Sequence, residues 1–321
     1  SLDFDSARLP NPHFTEEHDA WRAALRRFID NELMPYADDW DEAGAIPTEL
    51  WPKAAEVGLL GLGYPEQFGG TPADSWHSWI VNEELSRVGV GGISASLMVH
   101  GIGLPPVLNW GPEWMQAEVA PPVLKGEKWI SLGITEPGGG SDVANLATTA
   151  VRDGDHFVVS GSKTYITGGM RANWVSTAVR TGGEGAGGVS MLLIPTDAEG
   201  FSRTPLDRKM GWWASDTATL YFDEVRVPVE NLIGAENEGF KVIMTNFNSE
   251  RMGMAAAMEA YARVCLEEAV AWATERKTFG KRLADHQVIR HKIAQMKQQL
   301  NATQAYIRMC YESIEAGTPN P

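Results

Sequence analysis

Two stretches of the chain concentrate residue types that can do chemistry. The first is ITEPGGGSD, residues 134–142, where an apolar run ends in Thr135 and an acid, a proline and three glycines follow. Glycines let a backbone approach a ligand closely, and the hydroxyls of Thr135 and Ser141 can bond a ligand at the same place. By residue type alone, a tight polar turn explains this stretch equally well, since Gly-rich loops usually serve geometry.

The second stretch is NSERMGMAAA, residues 248–257, which sets Glu250 beside Arg251 in a helical pattern. A glutamate can act as a general base once burial raises its pKa from about 4.3 toward the working pH. The alternative is a glutamate in the first turn of a helix, stabilised by about 0.5 kcal/mol by the helix dipole and doing nothing else. The residue types leave both interpretations open.

The bulk composition excludes several classes of protein. The 321 residues are enough for two or three packed units, and the net charge of −15 argues against nucleic acids and anionic membranes. No apolar run approaches the length of about 20 residues that a membrane span needs, so we expect no membrane insertion. Two cysteines give no disulfide framework, which favours a reducing compartment, and the scattered histidines predict no metal site.

The first segment, residues 1–128, is predicted to be all helical. TEEHDAWRAALRRFIDNEL begins with Thr15, a good helix N-cap, and repeats Trp21, Leu25 and Phe28 at spacings of four and three. Further helices are predicted around residues 49–57, 75–88 and 114–124.

The second segment, residues 129–234, offers short β-branched runs separated by turn signals. The spacers are too short for helices, which predicts an antiparallel β domain. GEGAGG, residues 183–188, satisfies a dinucleotide-binding pattern, but another strand follows it where that fold requires a helix. We therefore interpret it as a hairpin loop.

The third segment, residues 235–321, is predicted to be two long helices joined at RKTFGKRLADHQ, with Gly280 at the turn. The second helix repeats apolar residues from Ile289 to Ile314, which is typical of a helical bundle. Two helices make an incomplete bundle, so we expect that more chain follows or that another subunit supplies the rest. The predicted inner stripe of the first helix is Met254, Met258, Tyr261, Cys265, Ala269 and Trp272.

Four motifs occur together in one order: ITEPGGGSD, GSKTYITGG, FDEVRVP followed by NLIG, and ERKTFGKRLADHQ. In these motifs and their spacing the chain resembles the acyl-CoA dehydrogenase family over essentially its whole length. The resemblance implies a helical N-terminal domain, a β middle domain and a C-terminal helical bundle, with FAD as the cofactor. It also implies a homotetramer, a dimer of dimers, that works in β-oxidation of fatty acids in the cytoplasm, or in the mitochondrial matrix of a eukaryote, and passes electrons to an electron-transfer flavoprotein.

The resemblance assigns cofactor-binding residues at two places. At the flavin ring it implies Leu132, Ile134, Thr135, Gly140, Ser141, Tyr165, Ile166 and Thr167, and many relatives carry Trp at the position of Tyr165. At the pyrophosphate and adenine, often across a subunit interface, it implies Arg276, Thr278, Phe279, His286 and Gln287. The alternative for Arg276 is a basic helix end favoured by the dipole, which leaves the Thr-Phe-Gly that follows Lys277 unexplained.

The reaction that the resemblance implies is α,β-dehydrogenation of an acyl-CoA thioester to the trans-2-enoyl-CoA, in which a carboxylate removes the α-proton and a hydride passes to flavin N5. Most members place this base in their final helical region, whereas the isovaleryl-CoA and long-chain enzymes carry it directly before an arginine on the first long helix of the C-terminal domain. Glu250 matches the second arrangement and is the predicted base, with Ser141, Asn248 and Arg251 predicted at the substrate.

Other interpretations stay open at this point. The base can lie on a segment beyond the sequence, in which case Glu250 has no catalytic role. An acyl-CoA oxidase or a flavin monooxygenase of the same fold differs in how oxygen reaches the flavin, and a non-catalytic relative would bind acyl-CoA without turnover.

Overall fold

The structure is a computed structural model that describes residues 2–318. Within those residues the α-helices are α1 (Glu16–Glu32), α2 (Ala37–Ala43), α3 (Leu50–Glu56), α4 (Ser75–Ser86), α5 (Gly91–Leu97), α6 (His100–Trp110), α7 (Glu113–Leu124), α8 (Gly239–Glu275) and α9 (Gln287–Glu315). The strands are β1 (Ile130–Gly133), β2 (Thr149–Asp153), β3 (His156–Thr167), β4 (Trp174–Arg180), β5 (Val189–Pro195), β6 (Phe201–Pro205), β7 (Thr217–Pro228), β8 (Lys277–Thr278) and β9 (Lys281–Arg282).

The chain divides into two compact units. The helical unit comprises Ser1–Pro35, Ala73–Gly89 and Arg251–Pro321, and the sheet unit comprises Tyr36–Pro72 and Val90–Glu250. The helical, β and helical character predicted for the three successive segments is confirmed, while the domain boundaries at residues 128 and 234 stay a prediction.

Aromatic packing holds the helical unit together. Leu25 and Phe28 of α1 are buried, as the periodicity predicted. On α4, Trp76 and Trp79 pack against Tyr311 of α9, with ring centroids 5.6 and 4.9 Å away. Large rings dominate the area removed from water here, and α4 and α9 share this core with Ala256 of α8.

The buried face of α8 is not the one that its apolar pattern predicted. Met254 and Trp272, both from the predicted inner stripe, are 59% exposed. The buried face carries Glu259 and Arg263, and Arg263 Nη2 lies 2.6 Å from Glu83 Oε1 of α4. The same face buries Ala256, Ala260 and Leu266, so α8 packs a face of small apolar residues and ion-paired groups, which the spacing of its larger apolar residues did not indicate.

A His–Asp–His cluster joins the starts of α1 and α4. The ligand atoms of His18, Asp74 and His77 lie within 4.8 Å of one another, close enough to raise the question of a metal. However, the Thr15 backbone N–H donates to His18 Nδ1 at 3.1 Å, which places the imidazole proton on Nε2, 3.1 Å from the Asp74 carboxylate. Asp74 also accepts the His77 backbone N–H as the N-cap of α4. His18 Nε2, which faces the Asp74 carboxylate, carries a hydrogen and so donates a hydrogen bond instead of binding a metal. The cluster is therefore explained as a hydrogen-bonded helix cap.

The sheet unit is built on a seven-stranded sheet of order β1-β4-β2-β3-β7-β6, with β5 paired to β4. The expected antiparallel pairing holds for β2–β3, β3–β7, β4–β5 and β6–β7. It does not hold for β1 and β2, which both run parallel to β4. The β2–β3 hairpin between β1 and β4 gives the chain enough length to return to the same end. The β4–β5 pairing confirms that GEGAGG lies in a hairpin loop.

Apolar helices cover this sheet. Leu104 and Val107 of α6 share a core with Ile130 of β1 and with Ile243 from the start of α8. The stretch Gly91–Trp110, with a mean hydropathy of 1.3, is long and apolar enough to cross a membrane, which corrects the expectation that no run approaches that length. It is 61% buried inside the protein, as is typical of core helices.

Candidate active site

The Gly-rich stretch forms an exposed loop directly after β1. Glu136 N–H donates to Gly139 O at 3.0 Å and Gly139 N–H donates back to Glu136 O at 3.1 Å, which closes a tight turn. Gly140 and Ser141 follow this turn and are exposed. The stretch after the turn, with its glycine backbone and the Ser141 hydroxyl, is therefore accessible to a ligand.

A buried ion pair, which the sequence analysis missed, anchors this loop. Lys163 Nζ on β3 lies 2.7 Å from Glu136 Oε1 and donates to Ile134 O at 3.1 Å. Glu136 also accepts the backbone N–H groups of Ala147 and Thr148. Burial opposes ionisation of Glu136, but the Lys163 charge and these hydrogen bonds outweigh it and lower the pKa to about 2. Burial lowers the pKa of Lys163 to about 8, against the pull of Glu136, so both groups are charged at neutral pH.

The predicted flavin residues of β3 lie beside the loop. Thr164 N–H donates to Thr135 O at 2.8 Å, which joins β3 to the loop. Tyr165 is 67% exposed at a φ of 58°, a backbone conformation that costs an aromatic residue about 1–3 kcal/mol and that clusters at functional sites. Ile166 is 2% exposed in the sheet core and its carbonyl accepts the Gly169 N–H at 3.1 Å, so the structure buries this predicted flavin residue. Thr167 is half-buried at the end of the strand.

These groups fit a planar, partly apolar ligand with polar edges. Leu132 in β1 is half-buried, and Ile134, directly after β1, is buried. Tyr165, whose ring is exposed, follows Thr164, which is hydrogen-bonded to Thr135. A Cβ at Gly140 would lie 3.1 Å from Thr135 Cγ2, so glycine keeps the loop close to the strand end. Apolar surface for a ring and hydroxyls and amides for its edge are the donor set that a flavin requires.

In the helical unit, the second set of predicted cofactor residues lies on the β8–β9 hairpin and the start of α9. The hairpin is closed by Leu283 N–H donating to Arg276 O at 2.8 Å. Thr278 Oγ1 lies 3.2 Å from His286 Nε2, and the Phe279 ring packs edge-on to His286 at 6.4 Å.

Exposure distinguishes these hairpin residues from an ordinary basic helix end. Phe279 is 95% exposed and has a φ of 51°, so its ring is presented to solvent by a strained backbone. Arg276 and Gln287 are also exposed. An exposed aromatic ring beside a cation and a histidine is typical of a binding surface, and the dipole explanation of Arg276 does not account for it.

Glu250 lies about three turns after the start of α8, at the end of the sheet unit. The helix dipole acts within the first turn, so it does not explain a glutamate at this position. Glu250 is half-buried, and Asn246 Nδ2 donates to its Oε1 at 2.6 Å. Asn248 and Arg251, predicted at the substrate, are exposed on the same helix.

The Trp pair of KMGWWASD has a structural role in the sheet unit. Trp212 has a φ of 59°, and a Cβ at Gly91 would lie 2.4 Å from its Nε1. Trp213 Nε1 donates to Lys209 O at 2.6 Å. Trp212 therefore packs its loop against Gly91, the first residue of α5. Only glycine leaves room for the Trp212 ring at that distance.

Family models match almost the whole chain. They are the acyl-CoA dehydrogenase N-terminal domain over residues 15–127, the middle domain over residues 131–225 and the C-terminal domain over residues 237–321. The long-chain specific acyl-CoA dehydrogenase of Sus scrofa is 34% identical over 94% of this chain and 71% of its own length.

Solved structures are also similar. A probable acyl-CoA dehydrogenase of Mycobacterium abscessus is 47% identical, with a TM-score of 0.92 over 94% of this chain and 81% of its own. A glutaryl-CoA dehydrogenase of Mycobacterium smegmatis, solved in complex with FADH2, is 27% identical, with a TM-score of 0.89 over 96% of this chain and 78% of its own. By sequence and by fold, this chain belongs to the acyl-CoA dehydrogenase family of FAD-dependent oxidoreductases.

Proposed function

We propose that this protein dehydrogenates an acyl-CoA thioester between its α and β carbons, with Glu250 as the base that removes the α-proton. The observation that carries the assignment is a half-buried carboxylate on α8, about three turns beyond the helix start and held by a neighbouring amide. A carboxylate that is partly withdrawn from water can accept a proton from carbon when it is in its ionised form.

FAD is the proposed cofactor, and it supplies the hydride acceptor when bound. In the sheet unit, Tyr165 would cover the ring, while the loop amides and the hydroxyls of Thr135 and Ser141 would bond its edge. Ser141 would also contact the thioester portion of the substrate. In the helical unit, the exposed Arg276 and Phe279 would hold the pyrophosphate and adenine. We include in the proposal a homotetramer, in which one subunit's hairpin serves the neighbouring subunit's cofactor.

Two observations support a substrate class. The proposed base lies directly before an arginine on the first long helix of the C-terminal segment, and the chain is 34% identical to a long-chain specific acyl-CoA dehydrogenase. We therefore propose long or branched acyl chains as substrates. The exposed Asn248 and Arg251 would meet the polar part of the substrate. An electron-transfer flavoprotein would then accept the electrons, and the proposed location is the cytoplasm or the mitochondrial matrix.

An anaerobic bleaching experiment tests the reaction. The purified protein should be yellow, and palmitoyl-CoA, octanoyl-CoA or isovaleryl-CoA added without oxygen should bleach the flavin absorbance. Bleaching followed by fast reoxidation in air would instead indicate an acyl-CoA oxidase or a monooxygenase. A colourless protein that takes up no FAD would indicate an acyl-CoA-binding relative.

The base assignment needs a matched pair of variants. Glu250→Gln should keep the yellow colour and lower the bleaching rate by about 10³-fold or more, since a positioned base commonly contributes about 10²–10⁴-fold. Glu268→Gln makes the same change at an exposed position of α8 and should leave the rate unchanged. A Glu250→Gln variant that bleaches at the wild-type rate would remove Glu250 from the mechanism.

A further inference from the structure

Asn246 connects two groups that lie far apart in the sequence. It is buried on α8, and its Nδ2 lies 2.6 Å from Glu250 Oε1, one helical turn later. The same Nδ2 lies 3.1 Å from the backbone oxygen of Ile102 on α6. An amide nitrogen carries two hydrogens, so it can donate to both acceptors at once.

The Ile102 carbonyl fixes the orientation of the amide. A backbone carbonyl can only accept, so it must face the NH₂ end of Asn246. Turning the amide over would bring the side-chain oxygen against both Ile102 O and the Glu250 carboxylate. The NH₂ end therefore points at Glu250 whatever the protonation state of that glutamate.

This orientation treats the two forms of Glu250 differently. An N–H donor stabilises a carboxylate, and a charge-assisted bond of this kind is about twice as strong as a neutral one. A protonated Glu250 would gain less from the same donor. The amide consequently favours the ionised form, which is the form a base needs before it meets the substrate.

We propose that Asn246 is a positioning residue for the base: anchored on Ile102, its amide sets the direction of the Glu250 side chain and stabilises the carboxylate. The inference rests on the proposed function, in which Glu250 removes the α-proton. The orientation and ionisation of Glu250 then depend on α6, because a movement of the Ile102 carbonyl would shift the Asn246 side chain that contacts Glu250.

Two substitutions separate positioning from simple packing. Asn246→Leu keeps the approximate volume and removes the donor, so the ionised form of Glu250 loses this hydrogen bond. Asn246→Asp keeps the size and shape but replaces the donor with a second carboxyl group close to the first, which disfavours ionisation further. Thr245→Asp is the matched control, because it adds the same charge at the adjacent, exposed position of α8.

The direct readout is the titration of Glu250, followed in the purified protein by its infrared carboxyl band and identified as the band that Glu250→Gln removes. The midpoint should rise by about one pH unit in Asn246→Leu and by more in Asn246→Asp. It should not move in Thr245→Asp. The acidic limb of the bleaching rate against pH should shift in the same order.

The outcomes separate this inference from the proposed function. Midpoints that coincide in wild type, Asn246→Leu and Asn246→Asp would overturn the positioning role even if Glu250→Gln is inactive. An active Glu250→Gln would overturn the base assignment, and the positioning role in catalysis with it. Should Asn246→Leu fail to fold, the isosteric Asn246→Asp still decides the question.

Discussion

The Lys163–Glu136 pair allows a prediction whose size follows from its contacts. Lys163→Met removes the ammonium group and keeps an unbranched side chain, leaving the Glu136 carboxylate, 8% exposed, without its cation. Removing one partner of a buried ion pair costs about 3–5 kcal/mol. The backbone N–H groups of Ala147 and Thr148 still bond the carboxylate, so we expect the lower end, a loss of about 3 kcal/mol in the free energy of unfolding at pH 7.

The pH dependence of this loss has a definite sign. The pKa of Glu136 is lowered from 4.5 to about 2 in the folded protein. The stabilisation that comes from ionised Glu136 is therefore fully present above about pH 4.5 and is lost as the pH falls toward 2. The difference between wild type and Lys163→Met should shrink by about 1 kcal/mol on going from pH 7 to pH 3.5. Urea unfolding at the two pH values measures it.

Two controls make the reasoning refutable. Lys125→Met removes an exposed lysine at the end of α7 and should change the unfolding free energy by less than about 0.5 kcal/mol. Adding Glu136→Gln to Lys163→Met should recover most of the loss, because no buried charge then stays unpaired. Equal urea midpoints for wild type and Lys163→Met at pH 7, or a difference as large at pH 3.5 as at pH 7, would refute the account of this pair.

Three further predictions concern other parts of the chain. Burial raises the pKa of Glu259 from 4.5 to about 7 despite the Arg263 charge. The wild type should therefore lose stability as the pH rises from about 4.5 to 7. Glu259→Gln should reduce this pH dependence, as measured by melting temperatures across the same range. Gly91→Ala forces a Cβ against Trp212 and should destabilise by about 1–3 kcal/mol in urea unfolding; an unchanged midpoint would contradict the seating of that loop. Tyr165→Gly relieves a φ of 58° and should raise the free energy of unfolding by about 1 kcal/mol. The same variant should weaken FAD binding at least tenfold, measured by quenching of flavin fluorescence. An unchanged Kd would exclude a contact between the Tyr165 ring and the flavin.

Local elements were predictable from the sequence. The predicted helix at residues 75–88 is α4 (Ser75–Ser86), and Gly280 lies at the turn between the two long helices with a φ of 78°. Periodicity, caps and turn residues determine such features because they act over one or two helical turns or a single hairpin. The order of the motifs likewise carried the family resemblance.

Long-range contacts were not predictable. Lys163 bonds a glutamate 27 residues earlier, and Asn246 bonds a carbonyl 144 residues earlier. Neither residue stands out by type or spacing, since a lysine in a strand or an asparagine in a helix is ordinary until its partner is known. The sequence could name Glu250 as a candidate base but not the amide that holds it.

The sequence by itself determined the types of secondary structure and the loop chemistry after β1, because each depends on neighbours along the chain, while Glu250 became a candidate base through the resemblance of the motifs to a family. Only the tertiary structure decided which face of α8 is buried, that β1 runs parallel to β4, and which groups surround Glu136 and Glu250. The physical reason is that burial and ion pairing depend on which surfaces meet. Both faces of α8 carry apolar side chains, so only its partner helices decide which one is buried.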